Sequence, residues 1–188
     1  GYALCIIDRR ASHADLTDEY AAIPVEMREI AGYFGKEVLS QVPEADFYGN
    51  VAALRQKFGD RAVLRAYHYY QENRRVPLAC QALRQGDFQR FLEIIRQSGD
   101  SSYMYLQNVS PAGAVKQQDM AITLALCEHY LEGTGAYRVH GGGFAGTCQA
   151  FVPMEKLEAF RAGIDGVLGE GACHVLTIRP QGGAEVTV

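Results

Sequence analysis

The chain has 188 residues, of which 48% are hydrophobic, so it has enough apolar material for one sizeable core in one domain, or in one domain with a subdomain. Charged residues make up 21% and the net charge is -4, so it lacks the basic surface that holds nucleic acids or anionic membranes. No apolar run approaches the roughly 18 residues of a membrane span. We expect no nucleic-acid and no membrane partner.

The five cysteines are odd in number, widely scattered and never arranged as C-x-x-C. They indicate free thiols in a reducing compartment. Because nothing at the start resembles a signal peptide, the expected location is cytoplasmic. The chain begins inside a strand-like pattern without methionine, which indicates a fragment, although a trimmed tag could also leave Gly1.

In chain order, the apolar and β-branched residues 2–8 predict a first strand. The polar residues 12–19 predict a loop. Pro24 suits the first turn of a helix, which we expect to run from about residue 20 to 34. A short strand followed by a loop and a helix therefore opens the chain.

The middle of the chain has helical periodicity. Apolar residues recur at intervals of three and four over 60–84, where Pro77 is expected to kink or divide the helix, and again over 88–95. These two segments predict a helical hairpin. Residues 114–131 predict another helix, which is apolar on two sides and so should be central.

After residue 135 the pattern changes to short strands. We predict strands at 136–140, 147–152 and 172–179, a helix at 155–168, and a short edge strand at 184–188. A helical middle followed by this ending predicts an α+β fold, with a mainly antiparallel sheet covered on one face by helices. With no internal repeat or linker, one domain spanning 1–188 is the simplest account.

A glycine run, Gly141-Gly142-Gly143-Phe144-Ala145-Gly146, lies between two predicted strands. Glycines can adopt φ > 0 and allow close approach of another chain or an anionic ligand. A strand rather than a helix follows, and no P-loop lysine is present, so neither a Rossmann fingerprint nor a P-loop fits. The run is a tight turn, a phosphate contact through backbone N–H groups, or a support for a phosphate loop supplied by other sequence.

Other candidates occur outside this run. The loop after the first strand contains Tyr20, which could offer a ring and a hydroxyl to a sugar. In the same stretch, His13, Asp15 and Asp18 could hold a metal, but a solvated polar loop with capping roles explains them equally.

Histidine and tyrosine positions give two further candidates. His68 and Glu72 lie four apart on a helix, so they could bind a metal or exchange a proton, or form a hydrogen-bonded pair. His140 could contact a ligand or fix the turn. Five tyrosines could line a pocket, although helical spacing favours core packing: Tyr67, Tyr69, Tyr70, Tyr103 and Tyr105.

Three separated segments resemble galactokinases, in the family's order. They are His13-Ala-Asp-Leu-Thr-Asp-Glu-Tyr20, then Arg65-x-x-His68-x-x-x-Glu72-Asn73-x-x-Val76, and then Gly141-Gly-Gly-Phe144-x-Gly146. The family belongs to the superfamily of galacto-, homoserine, mevalonate and phosphomevalonate kinases. The resemblance covers the whole chain at low density and is dense only in these segments.

The resemblance implies a ferredoxin-like carboxy-terminal domain of a sugar kinase, which phosphorylates the C1 hydroxyl of galactose with MgATP between two domains. It implies that Tyr20 packs against the sugar. It also implies that the loop residues support the active site beside the phosphate loop: Gly141, Gly142, Gly143, Phe144, Gly146 and Thr147.

The family's Glu-His-x-Asp sugar-binding segment, phosphate loop and catalytic aspartate belong to its amino-terminal domain, and none is present in this sequence. The resemblance therefore implies no catalytic residue and no metal site in this chain. ATP and Mg²⁺ are expected only in the full-length protein. The expected partners are the amino-terminal domain of the same protein and galactose or a related hexose, and the chain alone is expected to be inactive.

One departure from the family concerns the sugar. Close bacterial relatives carry a small, glycine-rich segment where this chain has Asp8-Arg9-Arg10-Ala11, and two bulky cations there could alter sugar choice or point to solvent. Two alternatives remain: a galactokinase-derived sensor that binds sugar and nucleotide without turnover, and a stand-alone interaction domain.

Overall fold

The structure is a computed structural model, which describes residues 1–8, 16–144, 146–179 and 182. Arg9, Arg10, the 12–15 stretch, Ala145 and the predicted edge strand 184–188 lie outside the described residues. Helices and strands follow in this order: β1 (Tyr2–Ile7), α1 (Thr17–Tyr33), α2 (Glu44–Gly49), α3 (Val51–Phe58), α4 (Asp60–Arg84), α5 (Phe88–Ser101), α6 (Asp119–Leu131), β2 (Ala136–His140), β3 (Thr147–Pro153), α7 (Leu157–Leu168) and β4 (Cys173–Leu176).

The four strands form one sheet in the order β2-β3-β1-β4, and every described pair is antiparallel. Alternate residues of β1 are buried, as the period of two in a strand requires: Ala3, Cys5 and Ile7. This face packs against α6 and α7. The predicted α+β fold with an antiparallel sheet and helices is thus confirmed.

The prediction that helices cover only one face of the sheet was wrong, because helix α5 contacts the opposite face near β2. The ring of Phe91 lies edge-on to that of Phe151 on β3, with 5.2 Å between centroids. Arg96 donates a hydrogen bond to the Gly135 carbonyl just before β2. Because α5 also packs beside α4, as the predicted helical hairpin requires, the helical half of the chain is fixed to the β2 end of the sheet.

Two buried clusters replace the single core expected from composition. One lies between the sheet, α6 and α7, and the other lies among α1 to α4. Phe47 on α2 and Leu54 on α3 are fully buried in the second cluster. Both helices were missing from the sequence prediction because six and eight residues are too few to show a clear helical period.

Several predicted boundaries were wrong. Helix α1 begins at Thr17, so Pro24 lies in its interior, and residues 17–19 are helical rather than part of a loop. Helix α4 continues through Pro77 without division. Helix α6 begins at Asp119 rather than 114. On its predicted second face Ile122 is 54% exposed, whereas Leu126 and Tyr130 are partly buried against the core.

The ending of the chain follows the prediction more closely. A single 3-10 turn, Met154–Lys156, precedes α7, and β4 ends at Leu176.

The cysteines are free; Cys80 is exposed and the other four are buried. Across the described residues, no helix is both long and apolar enough to cross a membrane.

Candidate functional site

The glycine loop, defined here as residues 141–144 with Gly146, connects β2 to β3. Its backbone takes positive φ at Gly141 (74°), Gly143 (87°) and Phe144 (46°). Such values favour glycine and are uncommon for a residue with a side chain. The Gly146 amide donates to the Gly143 carbonyl at 2.7 Å. The turn itself therefore favours glycine at 141 and 143.

Tyr20, on the first turn of α1, packs directly on this loop. Its hydroxyl donates to the Gly143 carbonyl at 2.8 Å, and its ring meets Phe144 edge-on at 5.2 Å between centroids. A Cβ at Gly142 would lie 2.9 Å from the Tyr20 ring. Tyr20 nevertheless remains 37% exposed, so part of its ring is accessible to a ligand.

Asn108 lies behind the loop and bonds to it through both backbone and side chain. The Phe144 amide donates to the Asn108 carbonyl oxygen at 2.6 Å, and Asn108 Nδ2 donates to the Gly142 carbonyl at 3.2 Å. A Cβ at Gly143 would lie 2.1 Å from the Asn108 carbonyl oxygen. Glycine at 143 is thus required by space as well as by φ.

The segment that carries Asn108 has an unusual backbone. It follows a π-helical turn, Ser102–Leu106, and Gln107 takes φ 56°. Single π-helical turns often occur at functional sites. The turn ends α5 and directs the chain toward the glycine loop, so Asn108 reaches the loop from the helical half.

Two amides of the glycine loop are bonded within the protein and so are not available to a phosphate. A cradle binds an anion with several backbone N–H groups that point at it. The amides of Phe144 and Gly146 instead donate to carbonyl oxygens of this chain. Of the alternatives left open by the sequence, these bonds favour a loop that supports neighbouring groups over one that holds a phosphate alone.

Arg65 connects α4, α1 and the segment before Asn108. Its side chain is 1% exposed, and Nη1 lies 2.8 Å from a Glu26 oxygen on α1. Its Nε donates to the Leu106 carbonyl at 3.1 Å. Arg61 shares the Glu26 carboxylate. Burial lowers the pKa of Arg65, but an arginine remains charged at neutral pH.

His68 and Glu72 are both bonded to α5 rather than to each other. His68 Nδ1 lies 2.9 Å from the Ser101 hydroxyl, and Ser98 donates to the Glu72 carboxylate. Arg138 of β2 lies 3.3 Å from the same carboxylate. The pair therefore has the structural role that the sequence left open, joining α4, α5 and β2.

The surroundings of His68 and Glu72 shift the pKa of both groups. Burial lowers the pKa of His68 below its ordinary value. Burial opposes ionisation of Glu72, but the Ser98 hydrogen bond and the charges of Arg138 and Arg75 outweigh it, so the pKa of Glu72 is also lowered. The folded chain therefore holds His68 neutral and Glu72 charged.

We expect the free energy of unfolding to fall as the pH drops below about 6.5, because unfolded His68 then binds a proton that the folded chain resists. His68→Asn should reduce this loss between pH 7 and 5, where one proton contributes up to about 1.4 kcal/mol per pH unit. Urea unfolding at several pH values measures it. His140→Asn is the control, since it leaves His68 buried; equal slopes in wild type and His68→Asn would contradict the expectation.

The remaining candidates have local partners. His140 Nδ1 lies 2.9 Å from Gln149 Oε1 across the hairpin, which fits a role in fixing the turn. Tyr70 is buried and donates to the Val42 carbonyl, and Tyr67 packs edge-on to Tyr105. Tyr103 is half exposed instead. Within the described ranges, which exclude His13 and Asp15, no three His, Cys, Asp or Glu side chains are grouped to hold a metal ion.

Sequence reasoning missed several residues that build this region. Asn108, Glu26, Ser98 and Arg138 each bond to a residue 26 to 66 positions away. None belongs to a catalytic motif. The one local signal is the pair of tyrosines before Asn108, Tyr103 and Tyr105, whose helical spacing favours core packing.

Comparison with curated proteins finds galactokinases as relatives of this chain. The galactokinase of Glaesserella parasuis is 31% identical over 168 residues, which cover 86% of this chain and 40% of that protein. The galactokinase of Mannheimia succiniciproducens is 31% identical over 159 residues, with 85% and 39% covered. The chain thus spans about 40% of the length of these curated relatives. No protein-family model matches it.

Solved structures show the same fold. Lactococcus lactis galactokinase complexed with galactose superposes with a TM-score of 0.68 at 23% identity, over 93% of this chain and 44% of that one. The L. major mevalonate kinase in complex with R-mevalonate gives a TM-score of 0.52 at 14% identity, over 93% and 41%. By sequence and by fold, the chain is therefore a galactokinase homologue that corresponds to the carboxy-terminal part of that family.

Proposed function

We propose that the chain is part of an ATP-dependent sugar kinase, which transfers the γ-phosphoryl group of ATP to the C1 hydroxyl of galactose. The hydrogen bond from Tyr20 to the Gly143 carbonyl carries the proposal, because it joins two galactokinase-like segments that lie 123 residues apart in the sequence. The third segment reaches the same place, since Arg65 bonds to Leu106 two residues before Asn108. Three segments that share one location are consistent with a shared site.

Tyr20 is the proposed sugar contact. An aromatic ring offers an apolar face to the C–H groups of a hexose, and Tyr20 is 37% exposed as a residue. Its hydroxyl is already bonded to Gly143, which orients the ring. The loop residues Gly141, Gly142, Phe144, Gly146 and Thr147 would then support this face of the active site.

In this proposal ATP and Mg²⁺ bind in the full-length protein. Mg²⁺ in phosphoryl transfer is held by carboxylates and substrate phosphates, and this chain spans only about 40% of the length of its galactokinase relatives. We therefore propose that an amino-terminal domain of the same protein supplies the catalytic groups, and that the chain alone is inactive. Phosphoryl transfer depends on positioning and electrostatic stabilisation, so half of such a site has little activity. A cytoplasmic location remains part of the proposal.

The test is a phosphorylation assay on the protein encoded by the complete gene, with MgATP and a panel of hexoses that includes galactose. We expect turnover with galactose from the complete protein and none from the isolated chain. Sugar binding without turnover would favour the sensor instead. Upstream sequence lacking both a Gly/Ser-rich phosphate loop and a Glu-His-x-Asp segment would refute the proposal.

A further inference from the structure

Asn108 makes three close contacts with the glycine loop from one position. Its carbonyl oxygen accepts from Phe144, its Nδ2 donates to Gly142, and its carbonyl leaves no space for a Cβ at Gly143. Asn108 is 2% exposed, so these contacts are sheltered from water. The residue thus determines where three consecutive loop residues lie.

The side chain of Asn108 also lacks one hydrogen bond among the described residues. The Gly142 carbonyl fixes the amide orientation, because only Nδ2 can donate to it. Among the residues that the structure describes, Oδ1 of Asn108 is buried and has no hydrogen-bond partner. A buried acceptor without a donor lowers stability, so the asparagine is not explained by stability alone.

A connection to Tyr20 gives the side chain a function. Tyr20 bonds to the carbonyl of Gly143, and its ring lies against Gly142, the residue that accepts from Asn108 Nδ2. A shift of Gly142 would therefore move the surface on which the Tyr20 ring rests. Small displacements of a positioning contact change rates and affinities strongly.

We propose that Asn108 is a positioning residue, whose side-chain amide holds the glycine loop against Tyr20 and so sets the orientation of the proposed sugar contact. This inference rests on the proposed function, because the loop and Tyr20 are assigned there to the active site. Asn108 acts through Gly142 and does not itself touch substrate.

Two variants test the side chain. Asn108→Ala removes the amide, and Asn108→Asp keeps its shape but places a carboxylate oxygen opposite the Gly142 carbonyl. The matched control is Asn50→Ala, which removes the same kind of bond, from Nδ2 of Asn50 to the Asp46 carbonyl, in a solvent-exposed contact at the end of α2.

The first measurement is amide hydrogen exchange in the complete protein, read at Phe144 and Gly146. We expect both Asn108 variants to exchange about fivefold to tenfold faster than wild type, the range that one net hydrogen bond gives. In Asn108→Asp, the ratio of the exchange rate to that of wild type should return toward one near pH 5. Burial raises the pKa of a carboxyl, so the aspartate is protonated at this pH and can then donate to Gly142. A purely structural cavity would not recover with pH.

The second measurement is steady-state kinetics of the complete protein. We expect the KM for galactose to rise about fivefold to tenfold in both variants, while the KM for ATP stays at the wild-type value. Wild-type exchange and KM in both variants would overturn the inference, as would the same changes in Asn50→Ala. If the wild-type protein turns over no hexose, the proposed function fails, and the exchange measurement still decides whether Asn108 holds the loop.

Discussion

Replacing Arg65 with methionine should lower the free energy of unfolding by about 3–5 kcal/mol. The guanidinium is 1% exposed and bonds to Glu26 and the Leu106 carbonyl, so its removal leaves a buried acceptor unpaired and weakens the neutralisation of Glu26. It also disconnects α1 from the segment that leads to Asn108. Urea unfolding of the chain, followed by circular dichroism, measures the loss.

Arg74→Met is the matched control for Arg65, since both arginines lie on α4 and pair with a glutamate. The Arg74 side chain is 59% exposed, and its contact with Glu44 is therefore a surface ion pair. Such pairs contribute about 1 kcal/mol or less. Equal losses from the two substitutions would contradict the assignment of Arg65 as the buried connection.

Gly143→Ala should destabilise the chain by about 2–4 kcal/mol and lower the activity of the complete protein with galactose. A side chain at φ 87° costs roughly 1–2 kcal/mol, and the new Cβ would meet the Asn108 carbonyl oxygen at 2.1 Å, which adds overpacking. The backbone has to move, and Tyr20 moves with the Gly143 carbonyl. Unfolding midpoints and the KM for galactose report the two effects separately.

Gly141→Ala provides the comparison within the same loop. Gly141 also has positive φ, at 74°, but a Cβ there would meet open space. Only the backbone strain of about 1–2 kcal/mol is then expected, with little change in KM. If Gly141→Ala is as damaging as Gly143→Ala, close packing against Asn108 is not the reason for glycine at 143.

Regular periodicity is what made parts of this fold predictable. The strands at β1, β2 and β3 and the long helix α4 follow apolar spacing, and the structure places them within one residue of the predicted bounds. Helices α2 and α3 have too few turns to show a period. The predicted start of α6 at residue 114 was wrong, because the polar residues before Asp119 do not by themselves interrupt a helical pattern.

The sequence identified several candidate site residues, but not the hydrogen bonds that connect them. Tyr20 and the glycines were identified by their types and by resemblance to galactokinases. Asn108 was not, because an asparagine that follows Tyr103 and Tyr105 has no motif of its own. The sequence therefore identified no residue that connects the loop to the helical half.

The sequence alone thus determined the secondary structure of the sheet region, the need for glycine in a turn of positive φ, and the relationship to galactokinases. Only the tertiary structure decided that Tyr20 bonds to Gly143, that Arg65 joins Glu26 to Leu106, and that Asn108 lies behind the loop. The physical reason is the distance along the sequence between the residues that interact. Turn and strand preferences are set by neighbouring residues, whereas these bonds join residues tens of positions apart, which meet only when the helices pack against the sheet.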